Sequence, residues 1–411
     1  MDDLWHATIN GRGQLLNARR PADIATQLSA VLTDIAERVG SASSASVNSG
    51  SISNTTRVFQ AKFDSSSWSG QLLALPILTK NDDGTPRTDG ALGTIEWDAA
   101  QKLPDFASRR IITTNTDGSK ILFTWSSLDT ARRKLIDPAY TTSDTEGTKL
   151  VNYLRGDGTN ELGQNGSLRR RPTKLGDIIA SSPLFVGKPP FFYPDTLETG
   201  GATPQDSDNT YSEYRTAKKD RKPMVYAGAN DGMLHGFDAG TGVEKIAFIP
   251  AAVFANLRKL ADSSYNDQHK FFVDGAANTG DVYYDNTWHT VLLGGLNKGG
   301  QGIYALDISA PEAFGAAAPE TVALWEFTDA NDLDLGFTYS QPAIVRLKTG
   351  VWVLDRTTST VRFRPVKLLR VTSETAVMSG LAAGEPVVSL GAHLLKEGEL
   401  VRTVSENGGE E

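Results

Sequence analysis

The stretch VYAGANDGMLHGFDAGTGVEKIAFIP, Val225 to Pro250, constrains this chain more than any other. Three short runs of β-branched, aromatic and small residues are separated by two turns. Asn230-Asp231-Gly232 suits a tight turn, because Gly takes positive φ without a Cβ clash and Asn tolerates it. Ala239-Gly240-Thr241-Gly242 makes the second turn. The pattern predicts strands over 225–229, 233–238 and 244–249. A compact meander whose strands end on Gly, Asn or Asp has the form of a β-propeller blade.

The unit recurs. VLLGGLNKGGQGIYALD, Val291 to Asp307, aligns Gly294 with Gly228, Ile303 with Leu234 and Asp307 with Asp238. The offset exceeds the roughly 40–50 residues usual per blade, so loops are inserted. IIASSPLFVG (Ile178 to Gly187) and KFFVDGA (Lys270 to Ala276) are placed to be the innermost strands of the two copies. FTYSQPAIVRL (Phe337 to Leu347) is placed to start a third. The competing reading is two unrelated hairpins.

Several motifs then agree in order. LGDIIASSPLFVG, VYAGANDGMLHGFDAGTG, GGLNKGGQGIYALDIS and DLGFTYSQPAIVRL closely resemble the PilC/PilY proteins, tip-associated adhesins and assembly factors of bacterial type IV pili. Upstream, DDLWHATINGRGQ, VFQAKFDSSSWSGQLLALPI, NYLRGDG and RRRPTKLGDI resemble the same family, so the resemblance spans about Asp2 to Leu347. It implies pilus biogenesis and tip adhesion through binding, with no catalysis. The implied partners are pilus subunits, minor pilins and a host or abiotic surface. The implied location is the cell surface, pilus tip, outer membrane or periplasm. Family members are exported and carry a large region before DDLWH. The start MDDLWHATINGRG has neither a basic start nor an apolar core segment, so the chain is expected to be an internal piece without its export signal.

From about Val351 the chain reads VWVLDRTTSTVRFRPVKLLRVTSETAVMSGLAAGEPVVSLGAHLLKEGELVRTV; VWVLDRTT mimics the blade strand IYALDIS, but the rest, with its GLAAGEPVV and Leu/Val-rich end, closely resembles a different family, the C-terminal, membrane-proximal β-region of periplasmic adaptors in tripartite efflux pumps. The expected fold is mainly β: a mixed α+β module over 1–170, a partial β-propeller with quinoprotein-like blades over 171–349, and a small adaptor-like β tail over 350–411. Two blades and the start of a third leave open strand edges, which invite association. A truncated, fused product is therefore expected, with its junction near Gly350.

Within the N-terminal module, Ile24, Leu28, Val31, Leu32 and Ile35 recur at helical spacing and predict a helix from Pro21 to Val39. The Ser/Asn-rich stretch after it reads as a flexible linker in preference to an irregular edge strand. Alternation puts Phe59, Ala61 and Phe63 on one face of one strand and Leu73, Leu75 and Ile77 on one face of the next. Further strands are expected over 94–97 and 121–125, and short helices over 127–136 and 146–154. Lys188 to Lys222 is a Pro- and Asp-rich insertion whose KPPFFYPD aromatics cap a blade edge, and a short helix is expected over 251–260.

The bulk numbers exclude several classes. A formal net charge of −8 over 411 residues argues against a nucleic-acid partner. With no cysteine there are no disulfides, no thiolate zinc site and no thiol nucleophile. No apolar run is long enough to cross a membrane as a helix. His6, His235, His269, His289 and His393 show no metal-ligand spacing, and His235 is expected to pack inside a blade. GGLNKGG (Gly294 to Gly300) joins two strands and lacks the following helix that a phosphate loop needs, so it reads as a long hairpin turn. Asp329, Asn331, Asp332 and Asp334 approach a calcium loop, but Leu333 breaks the alternation. The calcium loop of the resembled family lies farther along its propeller, in a segment missing here. No cofactor and no catalytic, cofactor-binding or metal residue is therefore expected. Arg155-Gly156-Asp157 spells the tripeptide that integrins read, against a plain polar turn after a helix, and the turn is the expectation. Arg169-Arg170-Arg171 with Lys174 reads as a solvated basic loop. The enzymatic alternative is a quinoprotein dehydrogenase, whose blades read the same way, and an efflux adaptor is supported by the tail alone.

Overall fold

The computed structural model describes residues 42–47, 56–87, 89–196, 209–345, 350–371, 376–382, 384–388, 395 and 398–401. The helix expected over Pro21 to Val39, with His6 and His393, lies outside the described residues. The chain divides into two compact units, Met1–Ile344 and Val345–Glu411.

The first unit is built on three sheets. The first is an antiparallel meander of β1 (Ala42–Val47), β2 (Arg57–Asp64), β3 (Ser69–Pro76) and β4 (Trp97–Asp98), in that order. The expected Ser/Asn-rich linker thus contains an edge strand, because the β2 backbone offers β1 a free ladder side. Phe59 and Ala61 stand opposite Ala74 and Leu72, and Trp97 stands opposite Ala74. The inward face of β3 is therefore Leu72 and Ala74, while Leu73 points to the other face. The expected alternation had set Leu73 and Leu75 as one face without fixing the register against Phe59.

The second sheet contains the central meander. Its strands are β5 (Ile111–Thr114), β6 (Lys120–Leu122), β7 (Leu184–Val186), β8 (Met224–Ala229), β9 (Met233–Asp238) and β10 (Glu244–Ile249), ordered β6-β5-β10-β9-β8-β7. The three strands read from Val225 to Ile249 form where the turn residues place them, with Gly232 at φ 95° and Gly242 at φ 73°. β5 pairs with β10 in parallel, Ile111 opposite Ala247. Both β5 and β6 precede the expected boundary at 170/171, yet they extend the sheet of the first repeat. Helices α1 (Thr130–Ile136) and α2 (Thr145–Arg155) flank this sheet. Asp129 caps α1 by accepting from the Arg132 N–H, and Gly156 closes α2 at φ 116°. The helix expected over 251–260 is a 3₁₀ helix, Ala251–Ala261. Within the insertion, α3 (Tyr211–Ala217) was not foreseen. Its signal was a capping box, Thr210 with Glu213 three residues on.

The third sheet is β11 (Asn278–Tyr284), β12 (Thr287–Gly295), β13 (Gly302–Asp307) and β14 (Ala323–Thr328), antiparallel and in order, with α4 (Pro319–Val322) before its last strand. Gly294 is required here: a Cβ would lie 2.1 Å from the Tyr304 ring.

The sheets stack face on face. Phe59, Leu72 and Trp97 of the first pack with Val225, Ala227 and Phe237 of the second. The opposite face of the second, with Tyr226, Leu234 and Phe248, joins Leu292, Tyr304 and Leu306 of the third. The N-terminal sheet thus sits against the first repeat as a blade would, and no closed barrel forms among the described residues.

Two upstream runs behave differently from expectation. KFFVDGA is not a strand, and the ladder position beside β12 belongs to Asn278–Tyr284. Its Phe272 and Val273 are apolar because they are buried, and its backbone is spent on a turn: Phe272 N–H donates to Asn230 Oδ1 at 2.8 Å. Likewise the described part of FTYSQPAIVRL forms no strand, because Thr338 is engaged by the Leu296 and Asn297 N–H groups.

These contacts recur. The β2–β3, β8–β9 and β12–β13 hairpins are each hydrogen-bonded at the turn to a segment from outside the hairpin. Gly70 N–H donates to Leu175 O in the first. In the second, Asn230 N–H donates to Asp177 O, Asn230 Nδ2 donates to Asp177 Oδ2 at 2.7 Å, and Asn230 Oδ1 accepts from Phe272. In the third, Thr338 takes both N–H groups.

The second unit has two hairpins, β15 (Gly350–Asp355) with β16 (Thr360–Pro365) and β17 (Lys367–Val371) with β18 (Ala376–Ser379). Val353, Val361 and Val366 are buried in it, and Asp355 Oδ1 accepts the Thr357 N–H inside the first turn. VWVLDRTT, which resembled a blade strand, pairs with its own hairpin partner.

Asn230→Ala removes two side-chain hydrogen bonds and leaves a buried carboxylate and a buried N–H without them. The variant is expected to lose about 1–3 kcal/mol, read from urea denaturation by tryptophan fluorescence. An unchanged midpoint would show that the turn is held by packing alone.

Candidate functional site

The residues that carry charge were brought together in ways that spacing did not announce. His235 on β9 lies between two carboxylates: Nδ1 is 2.7 Å from Glu244 Oε1 and Nε2 is 3.0 Å from Asp231 Oδ1. Glu244 also receives Arg109 bidentately, at 2.6 and 2.7 Å. The Arg109 Nη1 donates onward to Arg155 O. His235 is fully buried, as expected of a blade residue, but it is an ion-paired one. Burial alone pushes the imidazole down; Asp231 and Glu244 outweigh it and lift it to about 9. Burial alone pushes the Glu244 carboxyl up; Arg109 and then His235 outweigh it and bring it to about 2. The chain Asp231–His235–Glu244–Arg109 is a largely buried series of alternating charges.

The RGD tripeptide is occupied in the same way. Arg155 is buried and donates to the carbonyls of Phe123, Phe106 and Arg109, while Gly156 closes the helix. Its guanidinium is not on the surface. The basic cluster differs from expectation. Arg169 is buried under the Tyr265 ring and donates to Ser67 O, and Arg171 and Lys174 both pair with buried Glu161. Of the three arginines, Arg170 is the exposed one. These cations sit inside because carbonyls and one carboxylate from distant segments meet them there. GGLNKGG is the β12–β13 turn, as expected. Its Gly299 approaches Phe272 O so closely that a Cβ would fall 1.5 Å away.

His269 Nε2 is 2.9 Å from Asp177 Oδ2, and its ring stacks on Trp68 at 3.7 Å. His289 Nδ1 is 2.6 Å from Asp307 Oδ2, with the Tyr284 ring at 3.8 Å. In the acidic loop, Asn331 Oδ1 accepts from Thr328 N–H and Asp332 Oδ1 from Asp334 N–H, while Leu333 is 92% exposed. Among the described residues, no group of three or more His, Asp or Glu is placed to hold a metal ion.

The surface with features of a contact site is the insertion. Phe191, Tyr193, Tyr211 and Trp288 form one aromatic stack on the β11–β12 hairpin, with Tyr193 5.4 Å and Tyr211 4.7 Å from Trp288. Its polar ends are tied down: Tyr211 Oη donates to Asp281 at 2.5 Å, Thr290 Oγ1 donates to the other Asp281 oxygen at 2.6 Å, and Tyr214 Oη lies 2.8 Å from Thr290. Burial and then Asp281 push the Tyr211 phenol up. On this fixed base Phe192 is 80% exposed, with the Arg215 guanidinium 4.0 Å over its ring. At Trp288 a cleft of about 370 Å³ is lined by Thr210, Glu213, Tyr214, Lys218, Trp288 and His289. A rigid aromatic with an adjacent cation is a binding feature.

Residues 175–360 match the family described as "PilY1 beta-propeller domain". That match runs past the break expected near Gly350. The chain is 35% identical over 368 residues to the type IV pilus biogenesis factor PilY1 of Pseudomonas aeruginosa (strain UCBPP-PA14), covering 86% of this chain and 30% of that protein. It is 33% identical over 319 residues to a PilY1 homolog of Xylella fastidiosa (strain Temecula1 / ATCC 700964), covering 77% of this chain and 23% of the homolog. The chain thus spans under a third of the curated relatives it matches. The crystal structure of the Pseudomonas aeruginosa PilY1 C-terminal domain is similar at 32% identity and a TM-score of 0.30, over 49% of this chain and 37% of that one. None of these relatives is an efflux adaptor.

The buried charge series makes stability depend on pH. The proton that His235 holds up to about pH 9 stabilises the fold fully below the ordinary 6.5, and this contribution disappears as pH rises through 9. The gap in urea midpoint between wild type and His235→Asn is expected to be wide at pH 6 and to narrow by pH 10. A gap that does not change would mean the imidazole is neutral in the fold.

Proposed function

We propose that this chain is a member of the PilC/PilY family, on the match of residues 175–360 to the PilY1 β-propeller domain, and that it acts in type IV pilus biogenesis and surface adhesion by binding partners. The observation that carries the reading is the 35% identity to a pilus biogenesis factor over 86% of the chain. The relatives are named for assembly, not for a reaction. The partners proposed are pilus subunits and minor pilins, and a host or abiotic surface. The proposed location is the cell surface or periplasm, and no helix among the described residues is long and apolar enough to cross a membrane. No metal or cofactor is assigned a part in this reading.

Within it, the exposed Phe192 beside Arg215 is the proposed adhesive feature, because its aromatic base is rigid and hydrogen-bonded. Assembly and adhesion separate experimentally. Deleting the gene is expected to lower pilin in the sheared surface fraction, and unchanged piliation would end the assignment. Phe192→Ser combined with Arg215→Ser, in the protein as the bacterium makes it, is expected to lower attachment at unchanged piliation. Unchanged attachment would place adhesion elsewhere.

A further inference from the structure

A second cleft, of about 470 Å³, lies among the lead-in to β5, the start of β10 and the loop over 311–315. Its volume falls in the range of roughly 300–1,000 Å³ usual for small-molecule sites. Five cations, Arg109, Arg110, Arg155, Lys222 and Lys245, line it against two carboxylates, Glu244 and Glu312. That excess of positive charge occurs in a chain whose formal net charge is −8.

The five are not equivalent. Arg109 is neutralised by Glu244, and Lys222 lies 3.0 Å from Asp238. Arg155 spends its donors on carbonyl oxygens. Lys245 makes no ion pair among the described residues and is half-buried on the cleft wall. Arg110 gives one Nη to Ala317 O, but its Nε is buried with no acceptor. A buried donor without an acceptor is unfavourable, and a guanidinium donor makes a strong, charge-assisted hydrogen bond to an oxyanion. Phe314, Pro311 and Leu122 supply an apolar wall.

We propose that this cleft binds a small organic oxyanion, with Arg110 and Lys245 as its charge partners and Phe314 beside its carbon frame. The geometry serves a carboxylate or a phosphate alike. The site is separate from the aromatic insertion and does not rest on the pilus reading.

The test is calorimetric titration of the full chain with citrate, with pyrophosphate and with glucose, at low and physiological salt. At least one anion is expected to bind and glucose is not; binding is expected to weaken as salt rises, because exposed charge pairs are screened within about 8–10 Å. Tighter citrate binding identifies a carboxylate ligand, and tighter pyrophosphate binding a phosphate. Arg110→Gln with Lys245→Gln is expected to weaken binding about tenfold or more, the loss of one charged hydrogen bond. Lys134→Gln, exposed on α1, should bind as wild type. If the double variant melts early, Lys245→Gln alone carries the test, with weaker binding expected. Absence of binding by both anions, or equal affinity in the variants, overturns the proposal.

Discussion

The stacking of the first unit depends on one repeated contact, the tie between a strand turn and a segment from outside its hairpin. A turn pressed between sheets has N–H and C=O groups that water cannot reach, and each must find a partner in the protein. Asn230 shows the solution most fully. Its backbone N–H and side-chain Nδ2 go to Asp177, just before β7, and its Oδ1 accepts from Phe272, after β10. One residue therefore joins three segments. Separating the second and third sheets would expose their apolar faces and also strand these groups. The tie also explains why the repeats are unevenly spaced. A long insertion adds little closure entropy once both its ends are fixed, so the segment over 188–222 and the loop before β14 are tolerated between fixed points.

What the sequence showed and what it hid follow from the same division between local and distant causes. β8, β9 and β10 were legible because their turns use Gly at positive φ, a constraint contained within a few residues. β5 was hidden because its partner β10 lies far along the chain and pairs with it in parallel, without a turn to announce it. β4 is two residues long and exists only because Ala74 and Leu73 face it. KFFVDGA looked like a strand because it is apolar, yet burial gives the same pattern in a lead-in. The candidate contact surface was half legible: KPPFFYPD marked the aromatics, while Trp288 and Tyr211, which fix them, come from two other elements.

The buried arginines follow the same logic. Arg109, Arg132, Arg155 and Arg169 are each under a tenth exposed, in a chain that is acidic as a whole. Guanidinium has five donors in a fixed plane and stays charged, so one side chain can terminate several loops. Arg155 collects carbonyls from 106, 109 and 123, and Arg169 collects Ser67, Trp68 and Asn266. Charge runs read from sequence as solvated loops were internal connectors. Binding chemistry therefore has to be sought among cations with donors left over, which is what distinguishes Arg110 and Lys245 from their neighbours.

A stack built this way presents a face at each side, and the two are unlike. The outward face of the first sheet carries Gln60, Lys62 and Gln71 among its apolar residues. That of the third carries Trp325 and Phe327, 47% and 39% exposed, aligned with Ile303 and Leu293. Ile344 packs on the same side at Gly280, and Phe337 and Tyr339 nearby in sequence are exposed as well. This composition matches the faces buried between sheets, not the polar face of a meander in water. Among the described residues, this exposed apolar surface lies beside the outer edge of β14 and is of the kind that favours association.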